Sequence, residues 1–422
     1  MKNIKSIISN NKALIENFSY LSVFQILNLA FPLFTYPYLI RILGVSIYGK
    51  IVFAQAIIGY LIILISFGFN ISATKEISIY RSNKLKLSEI ISSVFILKII
   101  LFCLSLSMFF FAIVFINDVA NDKLLFLLTL WMCFAEILSF NFYFQGIEEM
   151  KYISIISFLL KLVTLLLIFV FIHEKTDYLL VPLINLIGTL LAGLVSLYIL
   201  IYKDKIRLYI PSYLCLKDYF RESIPIFLAN VSIQIYVSTN KVLIGLFLGM
   251  AEVSYYDMAE KILNILRIPQ GILSQTVFPK VSLDKNIIFI KKIFNYSLLL
   301  NIVLFVFLVI FAEKIIILLG GIQMLPAKWV VIILGLTLPI VAISNVFGIL
   351  VLLPFGFNKI FSRIIMFSGF VFITQFLILW MANIISVYTL CITTVITEIF
   401  VSFLMYFYCK KNNLWTVKNM TI

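Results

Sequence analysis

The sequence has few of the residues that build metal centres or disulfide bridges. It contains one histidine, His173, and five scattered cysteines, none of which forms a CxxC pair. A metal site needs several such ligands at close spacing, so we expect no metal site and no other cofactor. The chain also lacks a Ser/His/Asp arrangement for nucleophilic catalysis, and we therefore predict that it is not an enzyme.

Charged residues are scarce as well. They make up 12% of the 422 residues, whereas hydrophobic residues make up 63%. A soluble domain of this size does not need so much apolar surface, so the composition predicts a polytopic membrane protein. The formal net charge of +14 is not accompanied by any nucleic-acid-binding motif, and we expect no nucleic-acid partner.

Apolar runs that are long enough to cross a bilayer recur along the whole chain. A span needs about 20 mostly apolar residues. Such runs lie roughly at 18–40, 48–69, 90–116, 124–145, 152–172, 178–201, 220–248, 253–279, 293–312, 327–353, 361–383 and 385–408. The pattern predicts an all-α membrane protein with about twelve transmembrane helices.

The distribution of Lys and Arg predicts the orientation of these helices. Most of the 33 Lys and Arg residues lie in the two termini, as do Lys2, Lys5 and Lys418, or in the even-numbered connections. The other side holds a smaller set, Arg41, Lys50, Lys123, Lys175, Lys314 and Lys328. By the positive-inside rule, both termini are expected in the cytoplasm. No small-residue cleavage site follows the N-terminal lysines, so we expect an uncleaved first span.

Two similar halves are indicated by a hairpin that occurs twice. The stretch from Tyr38 to Gln55 returns 205 residues later at Leu243 to Glu260, which places Gly44 on Gly249 and Ala54 on Ala259. The basic connection from Tyr202 to Tyr219 lies between the sixth and seventh runs. We predict an N-terminal six-helix lobe over residues 1–209 and a C-terminal six-helix lobe over residues 210–422.

The eighth run carries polar residues along one helical face. Asp257, Glu260, Lys261, Asn264, Arg267 and Gly271 follow the spacing i, i+3, i+4, i+7, i+10 and i+14. Each charge in the middle of a span costs about 2.5–3.5 kcal/mol, so this face should line a watery cavity. Two alternatives remain open: an ion-pair cluster in which Asp257 and Lys261 satisfy each other, or a helix that starts further along the chain.

Similar stripes occur in three more runs. The seventh contains Asn230, Gln234, Ser238 and Lys241, the first contains Gln25, Asn28, Pro32 and Thr35 with Arg41 at its end, and the second contains Lys50 and Gln55. Prolines in the first, seventh, eighth and tenth runs predict kinks.

Single charges lie in other runs. Lys98 and Lys161 are expected to extend towards the membrane interface. Glu136 and Glu398 would either relay protons or pair with a neighbouring lysine, and the sequence does not decide between these roles.

The first 80 residues resemble a known family. Pro37 to Gly44, Tyr48–Gly49, Phe53 to Ala56 and the segment FGFNISATKEIS from Phe67 to Ser78 are similar to the opening of Wzx-type O-antigen flippases, which belong to the multidrug/oligosaccharidyl-lipid/polysaccharide superfamily. The resemblance implies two six-helix lobes around a central V-shaped cavity, the MATE-like fold of that superfamily. It also implies a multi-pass protein of the bacterial inner membrane.

The resemblance further implies the cargo and its binding residues. The implied cargo is an undecaprenyl-diphosphate-linked oligosaccharide that moves from the cytoplasmic to the periplasmic leaflet. Cationic side chains would hold the diphosphate, and amide side chains would bind sugar hydroxyls. The candidates are Arg41, Lys241, Lys261 and Arg267 for the diphosphate, and Gln25, Asn28, Gln55, Asn230, Gln234 and Asn264 for the sugars.

The resemblance also raises the questions of which ion drives transport and which proteins are partners. Proton antiport would run through Asp257, Glu260 or Glu398. The related lipid II flippases bind sodium through carboxylates on helix eleven, where this sequence has Thr374, Gln375 and Asn383 instead. Contacts with an O-antigen polymerase and a chain-length regulator are a further expectation.

Two other functions are weighed against the flippase. A drug/cation antiporter of the same superfamily would have a cavity dominated by carboxylates and aromatic rings, whereas these stripes are mostly cationic. A glycan polymerase would need a large external loop or an acidic metal-binding motif, and the sequence has neither.

Overall fold

A computed structural model describes residues 12–115 and 122–415, and almost all of this part of the chain is helical. The charges of Lys2, Lys5 and Lys418, on which the predicted orientation partly depends, lie outside the described residues. An all-helical membrane fold agrees with the sequence-based prediction.

Nine helical stretches within the described residues are long and apolar enough to cross a membrane. They are Val45–Ile79, Lys84–Phe111, Lys123–Gly146, Met150–Phe171, Lys175–Lys203, Ile287–Gly320, Ala327–Leu352, Asn358–Met381 and Val387–Lys411. The first, seventh and eighth predicted spans are not among these nine. Those are three of the four runs with polar stripes, and the total of twelve stays a prediction.

The helices are numbered here in chain order. The first part of the chain forms α1 Lys12–Leu43, α2 Val45–Ser66, α3 Phe69–Ile79, α4 Lys84–Phe115, α5 Lys123–Thr129, α6 Trp131–Leu138, α7 Asn141–Gly146, α8 Met150–Phe171 and α9 Leu180–Tyr198. The second part forms α10 Tyr213–Phe247, α11 Met250–Leu266, α12 Ile268–Asp284, α13 Ile287–Gly320, α14 Lys328–Gly335, α15 Thr337–Asn345, α16 Asn358–Met381 and α17 Val387–Lys411. Short π-helical turns extend α9 through Ile199–Lys203 and α15 through Val346–Leu352.

The chain divides into two compact units, Met1–Val231 and Ser232–Ile422. The division falls inside α10, which is a single helix from Tyr213 to Phe247. The boundary between the units therefore lies later in the chain than the boundary predicted at residues 209 and 210. The prediction of two six-helix lobes stays a prediction. The loop before α10 is also shorter than predicted, because it covers only residues 204–212.

Side-chain contacts explain why the first unit extends past this loop. The backbone N–H groups of Arg207 and Tyr209 each donate a hydrogen bond of 3.1 Å to the hydroxyls of Ser88 and Ser92 on α4. These two serines are one helical turn apart, so the loop runs along one face of α4. The loop and α4 therefore form one packed layer of the first unit.

The first turns of α10 pack against the end of α2. The ring of Phe67 stacks on Phe220 and on Phe227, with centroids 4.4 and 4.3 Å apart. Ser72 and Ser223 are both buried, and their hydroxyls are 2.8 Å apart. These contacts bury apolar rings and satisfy the buried hydroxyls, which keeps this part of α10 in the first unit.

The repeated hairpin has the same local structure in both units. Gly44 separates α1 from α2 with φ +80°, and Gly249 precedes α11 with φ +141°. Residues with a Cβ rarely adopt positive φ, which explains a glycine at both positions. Ala54 and Ala259 are both fully buried in the helix that follows. The pairing that the sequence predicts at an offset of 205 residues therefore holds for these four positions.

Several predicted spans consist of more than one helix. The eighth is interrupted at Arg267 between α11 and α12, just before Pro269, and the tenth is interrupted at Leu336, just before Pro339. Proline lacks an N–H, so each break matches the predicted position of a kink. By contrast, α1 and α10 continue through Pro32, Pro37 and Pro225. The fourth span breaks twice, after Thr129 and after Leu138, without any proline.

A close approach between α3 and α7 generates a stability prediction. A Cβ on Gly146 would overlap the side chain of Ile77 and lie 3.1 Å from the carbonyl oxygen of Thr74. We expect Gly146→Ala to lower the free energy of unfolding by about 1–3 kcal/mol, because this packed site cannot accept another carbon. Thermal unfolding of the purified protein in detergent measures the effect.

The matched control is Gly271→Ala in α12, where a Cβ would have no neighbour within 4 Å. Alanine favours helix over glycine by about 1 kcal/mol, so this variant should be as stable as the wild type or more stable. Equal losses in both variants would contradict the role of the close approach.

Candidate functional site

Four charged side chains on α10 and α11 form one cluster in the second unit. The Lys241 Nζ lies 2.9 Å from Asp257 Oδ1 and 2.7 Å from Glu260 Oε2. Lys261 also forms an ion pair with Asp257, one turn away on the same helix. The Asp257 side chain is 6% exposed, and the other three side chains are between 20% and 28% exposed. The structure thus brings together Lys241, Asp257, Glu260 and Lys261 from the predicted site.

The cluster combines residues from two polar stripes that the sequence analysis treated separately, those of the seventh and eighth runs. Asp257 and Lys261 pair at i, i+4, as one alternative predicted, and Lys241 connects this pair to the seventh span. Two ammonium groups and two carboxylates have a formal sum of zero, so the lysines do not form an isolated cationic patch. Paired charges are far less costly in a low-dielectric environment than single ones.

A small cavity with both polar and apolar lining residues lies beside the cluster. It has a volume of about 60 Å³ and is lined in part by Glu260, Arg267 and Glu398. A cavity needs roughly 10–15 Å³ to hold a water, so this one has room for more than one. Arg267 donates a hydrogen bond of 2.8 Å from Nη2 to Thr337 Oγ1. Arg267 and Glu398 come from helices that are distant in sequence and face the same cavity.

Two groups in this cavity have incomplete polar contacts. The Nε of Arg267 is buried and has no hydrogen-bond partner among the described residues. Glu398 forms no hydrogen bond or ion pair within residues 12–115 and 122–415. An N–H donor and a carboxylate in one cavity favour hydrogen bonding to waters or to a polar guest. Of the two roles weighed for Glu398, pairing with a lysine is not observed.

A buried amide next to the cluster was missed by the sequence analysis. Asn240 is fully buried and donates hydrogen bonds to the Tyr256 hydroxyl, at 2.9 Å, and to Thr394 Oγ1, at 2.7 Å. It lies between the stripe residues Ser238 and Lys241 and therefore falls outside the i, i+4 spacing that was searched. Asn240 ties α10 to α11 and α17, and so helps to position Lys241, the next residue.

The amide candidates differ in their surroundings. Asn28 in α1 accepts a hydrogen bond from the Lys161 ammonium group of α8, so both side chains are engaged within the first unit. Gln234 in α10 donates a hydrogen bond of 2.7 Å to Ser238. Gln25 and Asn264 are exposed, and Gln55 and Asn230 are half-buried.

The cationic candidates lie in different units. Arg41 is exposed at the end of α1 in the first unit, whereas Lys241, Lys261 and Arg267 lie in the second. Lys241 and Lys261 share Asp257 as a partner, and Arg267 lines a cavity together with Glu260, the other partner of Lys241.

Lys98 does not extend to the interface as predicted. Its side chain is 1% exposed, and its Nζ lies 2.9 Å from Glu136 Oε1 and 2.8 Å from the Glu136 carbonyl oxygen. The prediction was wrong because Glu136 lies on α6, a short helix between two breaks that packs next to α4, so that its carboxylate is nearer to Lys98 than water is. Glu136 accordingly pairs with a lysine, which was one of its two expected roles.

Comparisons with known proteins agree with the family resemblance. Residues 14–283 match a family model described as "Polysaccharide biosynthesis protein". The chain is 27% identical over 416 residues to a "Putative O-antigen transporter" of Escherichia coli (strain K12), covering 96% of this chain and 99% of the relative. A protein of the same description from Shigella dysenteriae is 25% identical over 263 residues, covering 60% of this chain and 64% of the relative.

Solved structures with the same fold are transport proteins by their descriptions. An inward-facing multidrug resistance MATE family transporter of the MOP superfamily superposes with a TM-score of 0.73 at 14% identity, covering 96% of this chain and all of the other. The lipid II flippase MurJ in an inward closed conformation superposes with a TM-score of 0.72 at 18% identity, covering 94% and 87%. At these identities the likeness shows the fold alone, and it confirms the predicted MATE-like fold.

The buried pair of Lys98 and Glu136 generates a testable prediction. Removing one partner leaves a buried charge, so Lys98→Met should lower the free energy of unfolding by about 3–5 kcal/mol. The double variant Lys98→Met/Glu136→Gln removes both charges, and we expect it to recover most of that loss. Thermal or denaturant unfolding in detergent measures all three proteins.

An exposed ion pair in the same unit provides the control. Arg81 and Glu148 are 3.2 Å apart, and both side chains are 60% exposed. Arg81→Ala should change the stability by at most about 1 kcal/mol, since solvent screens such pairs. A double variant as unstable as Lys98→Met would show that the charges are not the reason for the loss.

Proposed function

We propose that this chain, which belongs to the polysaccharide biosynthesis protein family, flips undecaprenyl-diphosphate-linked O-antigen repeat units from the cytoplasmic to the periplasmic leaflet of the bacterial inner membrane. The observation that carries this proposal is the family match, which covers residues 14–283, together with two relatives described as O-antigen transporters. The MurJ neighbour adds support, because its description names a lipid-linked cargo on the same fold.

Three cationic side chains of the second unit are the candidates for holding an anionic cargo. In this proposal, Lys241, Lys261 and Arg267 of the second unit hold the diphosphate, and Arg41 of the first unit is a further candidate cation for it. The lysines are paired with Asp257 and Glu260 in the structure, so the phosphate oxygens would exchange places with these carboxylates. Such an exchange keeps the lysines neutralised, and the displaced carboxylates of Asp257 and Glu260 would have to take up protons to avoid an unpaired charge within a span.

Sugar recognition is assigned to neutral side chains. Gln25, Asn28, Gln55, Asn230, Gln234 and Asn264 are proposed to bind sugar hydroxyls. Of these, Asn28 and Gln234 already hold hydrogen bonds within the protein and would have to share or exchange them. Gln25 and Asn264 are exposed, so their amides can bind a ligand without prior rearrangement.

The membrane potential provides a driving force without a nucleotide. When the inside of the membrane is negative, moving about two negative charges outward is favourable by roughly 2.3 kcal/mol per charge per 100 mV. A proton carried inward on Glu398, Asp257 or Glu260 would add to this. Contact with an O-antigen polymerase and a chain-length regulator is part of the same proposal, since the polymerase would join the flipped units.

A drug/cation antiporter is the second candidate. The observation that favours it is Glu398, a carboxylate without an ion pair among the described residues, in a cavity that is also lined by Tyr256. Carboxylates and aromatic rings bind organic cations. The family match favours the flippase.

Deleting the gene in its host tests the two candidates directly. We expect lipid-diphosphate-linked repeat units to accumulate on the cytoplasmic side and surface polysaccharide to be lost, with recovery on complementation. The measurement is the leaflet distribution of the lipid-linked oligosaccharide together with surface glycan. Unchanged glycan with altered sensitivity to cationic drugs would favour the antiporter, and single units that reach the periplasm without being joined would favour a polymerase.

A second experiment separates binding by Lys241 from its structural pairing. Lys241→Gln leaves Glu260 without its cation, whereas Lys241→Gln/Glu260→Gln removes both charges and keeps similar side-chain volumes. If Lys241 holds the diphosphate, both variants should export at about a tenth of the wild-type rate or less, because a hydrogen bond to a charged group is lost. Membrane levels of each variant are measured in parallel by immunoblot.

The paired variant decides the interpretation. Wild-type export by Lys241→Gln/Glu260→Gln, with a defect in Lys241→Gln alone, would mean that Lys241 only neutralises Glu260. The double variant Lys241→Ala/Lys261→Ala provides a further check, since normal export by that protein would rule out a diphosphate clamp at these lysines.

A further inference from the structure

A long groove lies between α16 and α17, the last two helices of the second unit. Its volume is about 820 Å³, and its lining is almost entirely apolar and aromatic, including Phe367, Phe370 and Phe400. Volumes of about 300–1,000 Å³ are typical of sites that bury a small ligand. Phe367 and Phe370 are 48% and 59% exposed, so the groove is open along its side.

The polar groups of the groove lie at one end. Because α16 and α17 are joined by a short turn, they run antiparallel, and Arg363 near the start of α16 lines the groove together with Tyr408 near the end of α17. From Ile360 to Phe370 the groove follows ten residues of helix, which corresponds to about 15 Å at 1.5 Å per residue. That length equals about half of the 30 Å hydrocarbon core, or one leaflet.

Positive charge is concentrated at the same end. Lys359 and Arg363 lie in the first turns of α16, and Lys410 and Lys411 end α17. None of these four forms an ion pair with a residue that the structure describes. The sequence has no Asp or Glu between Glu313 and Glu398 and none after Glu398, so neither helix supplies an acid here. By the positive-inside rule, this end faces the anionic cytoplasmic leaflet.

We infer that this groove binds an acidic phospholipid of the surrounding membrane, with one acyl chain along the aromatic lining and the phosphate on Arg363. The apolar groove matches the thickness of one leaflet, and the guanidinium group lies where the headgroup of a lipid in that leaflet would be. Arg363 can hold a phosphate bidentately, and the nearby lysines attract the remaining negative charge. This inference does not depend on the proposed cargo or on the ion-pair cluster of α10 and α11.

The corresponding helix pair of the first unit provides an internal comparison. A smaller apolar groove of about 300 Å³ lies between α8 and α9, with Tyr152 among its lining residues. The Lys203 ammonium group lies 4.3 Å from the centre of the Tyr152 ring. The nearby Lys151 forms an ion pair of 2.7 Å with Glu149. This groove has less than half the volume and a carboxylate at its basic end, so it should bind acidic lipid more weakly.

The occupant is expected to be a phospholipid and not the polyprenyl chain of a transported lipid. The groove holds a chain of one-leaflet length, whereas a polyprenyl chain is much longer and would leave most of its length outside. An open side allows lateral exchange with bulk lipid, which suits a resident membrane component.

Delipidated protein in detergent provides the test. Phosphatidylglycerol is titrated against the wild type, and binding is measured by native mass spectrometry and by the rise in unfolding temperature, with phosphatidylethanolamine as the neutral comparison. We expect phosphatidylglycerol to bind preferentially and to stabilise the protein. In Arg363→Gln the apparent affinity for phosphatidylglycerol should fall about tenfold, because a hydrogen bond to a charged group is lost.

Two further variants distinguish the groove from general surface charge. Met366→Trp places a ring in the groove and keeps Arg363, so it should also weaken phosphatidylglycerol binding. Lys314→Gln removes an exposed cation of α13 outside the groove and should bind as the wild type does. Because Arg363 and Met366 are both exposed, neither substitution removes a core contact.

Three results would overturn the inference. The first is equal stabilisation by phosphatidylethanolamine, and the second is unchanged phosphatidylglycerol binding by both groove variants. The third is competition by a polyprenyl diphosphate at concentrations far below those at which phosphatidylglycerol binds, which would assign the groove to the transported lipid.

Discussion

A charged side chain within a membrane span is costly unless it is paired, and this constraint shapes both units. In the second unit, Lys241 connects α10 to α11 through Asp257 and Glu260. In the first unit, Lys98 connects α4 to α6 through Glu136. Because water is absent from the hydrocarbon core, each lysine selects the helix that carries its carboxylate. The charges therefore specify helix neighbours as well as candidate binding groups.

The sequence predicted those features that depend on spacing along one helix. The i, i+4 pairing of Asp257 and Lys261 follows from helical geometry alone, and so does the glycine hairpin at Gly44 and Gly249. The repeat at an offset of 205 residues was recognisable in the sequence because both copies of the hairpin keep the same two residue types, a glycine with positive φ and a buried alanine. The candidate binding residues Arg41, Gln25 and Gln55 remain predictions, since their role depends on a cargo.

The sequence did not predict contacts between helices that are distant along the chain. Lys98 was expected to reach the interface, because nothing within one turn of α4 neutralises it, and Glu136 is 38 residues away. Asn240 was overlooked for the same reason: its partners Tyr256 and Thr394 lie on α11 and α17. Kinks were predicted at the prolines of four runs. Helix breaks lie just before Pro269 and Pro339, whereas α1 and α10 continue through their prolines, and the breaks of the fourth span have no proline to mark them. Such features are set by packing, which a one-dimensional pattern does not contain.

The position of the boundary between the units has a consequence for how the chain length can vary. Val231 lies in the middle of α10, so the units are joined by continuous helix and not by a loop. An α-helix turns by about 100° per residue, with 3.6 residues per turn. One residue inserted or deleted near Val231 would therefore rotate the part of α10 that carries Phe220 and Phe227 by about 100° around the helix axis, relative to the part that carries Lys241. Homologous chains are thus expected to conserve the number of residues here and to vary in length at surface turns instead.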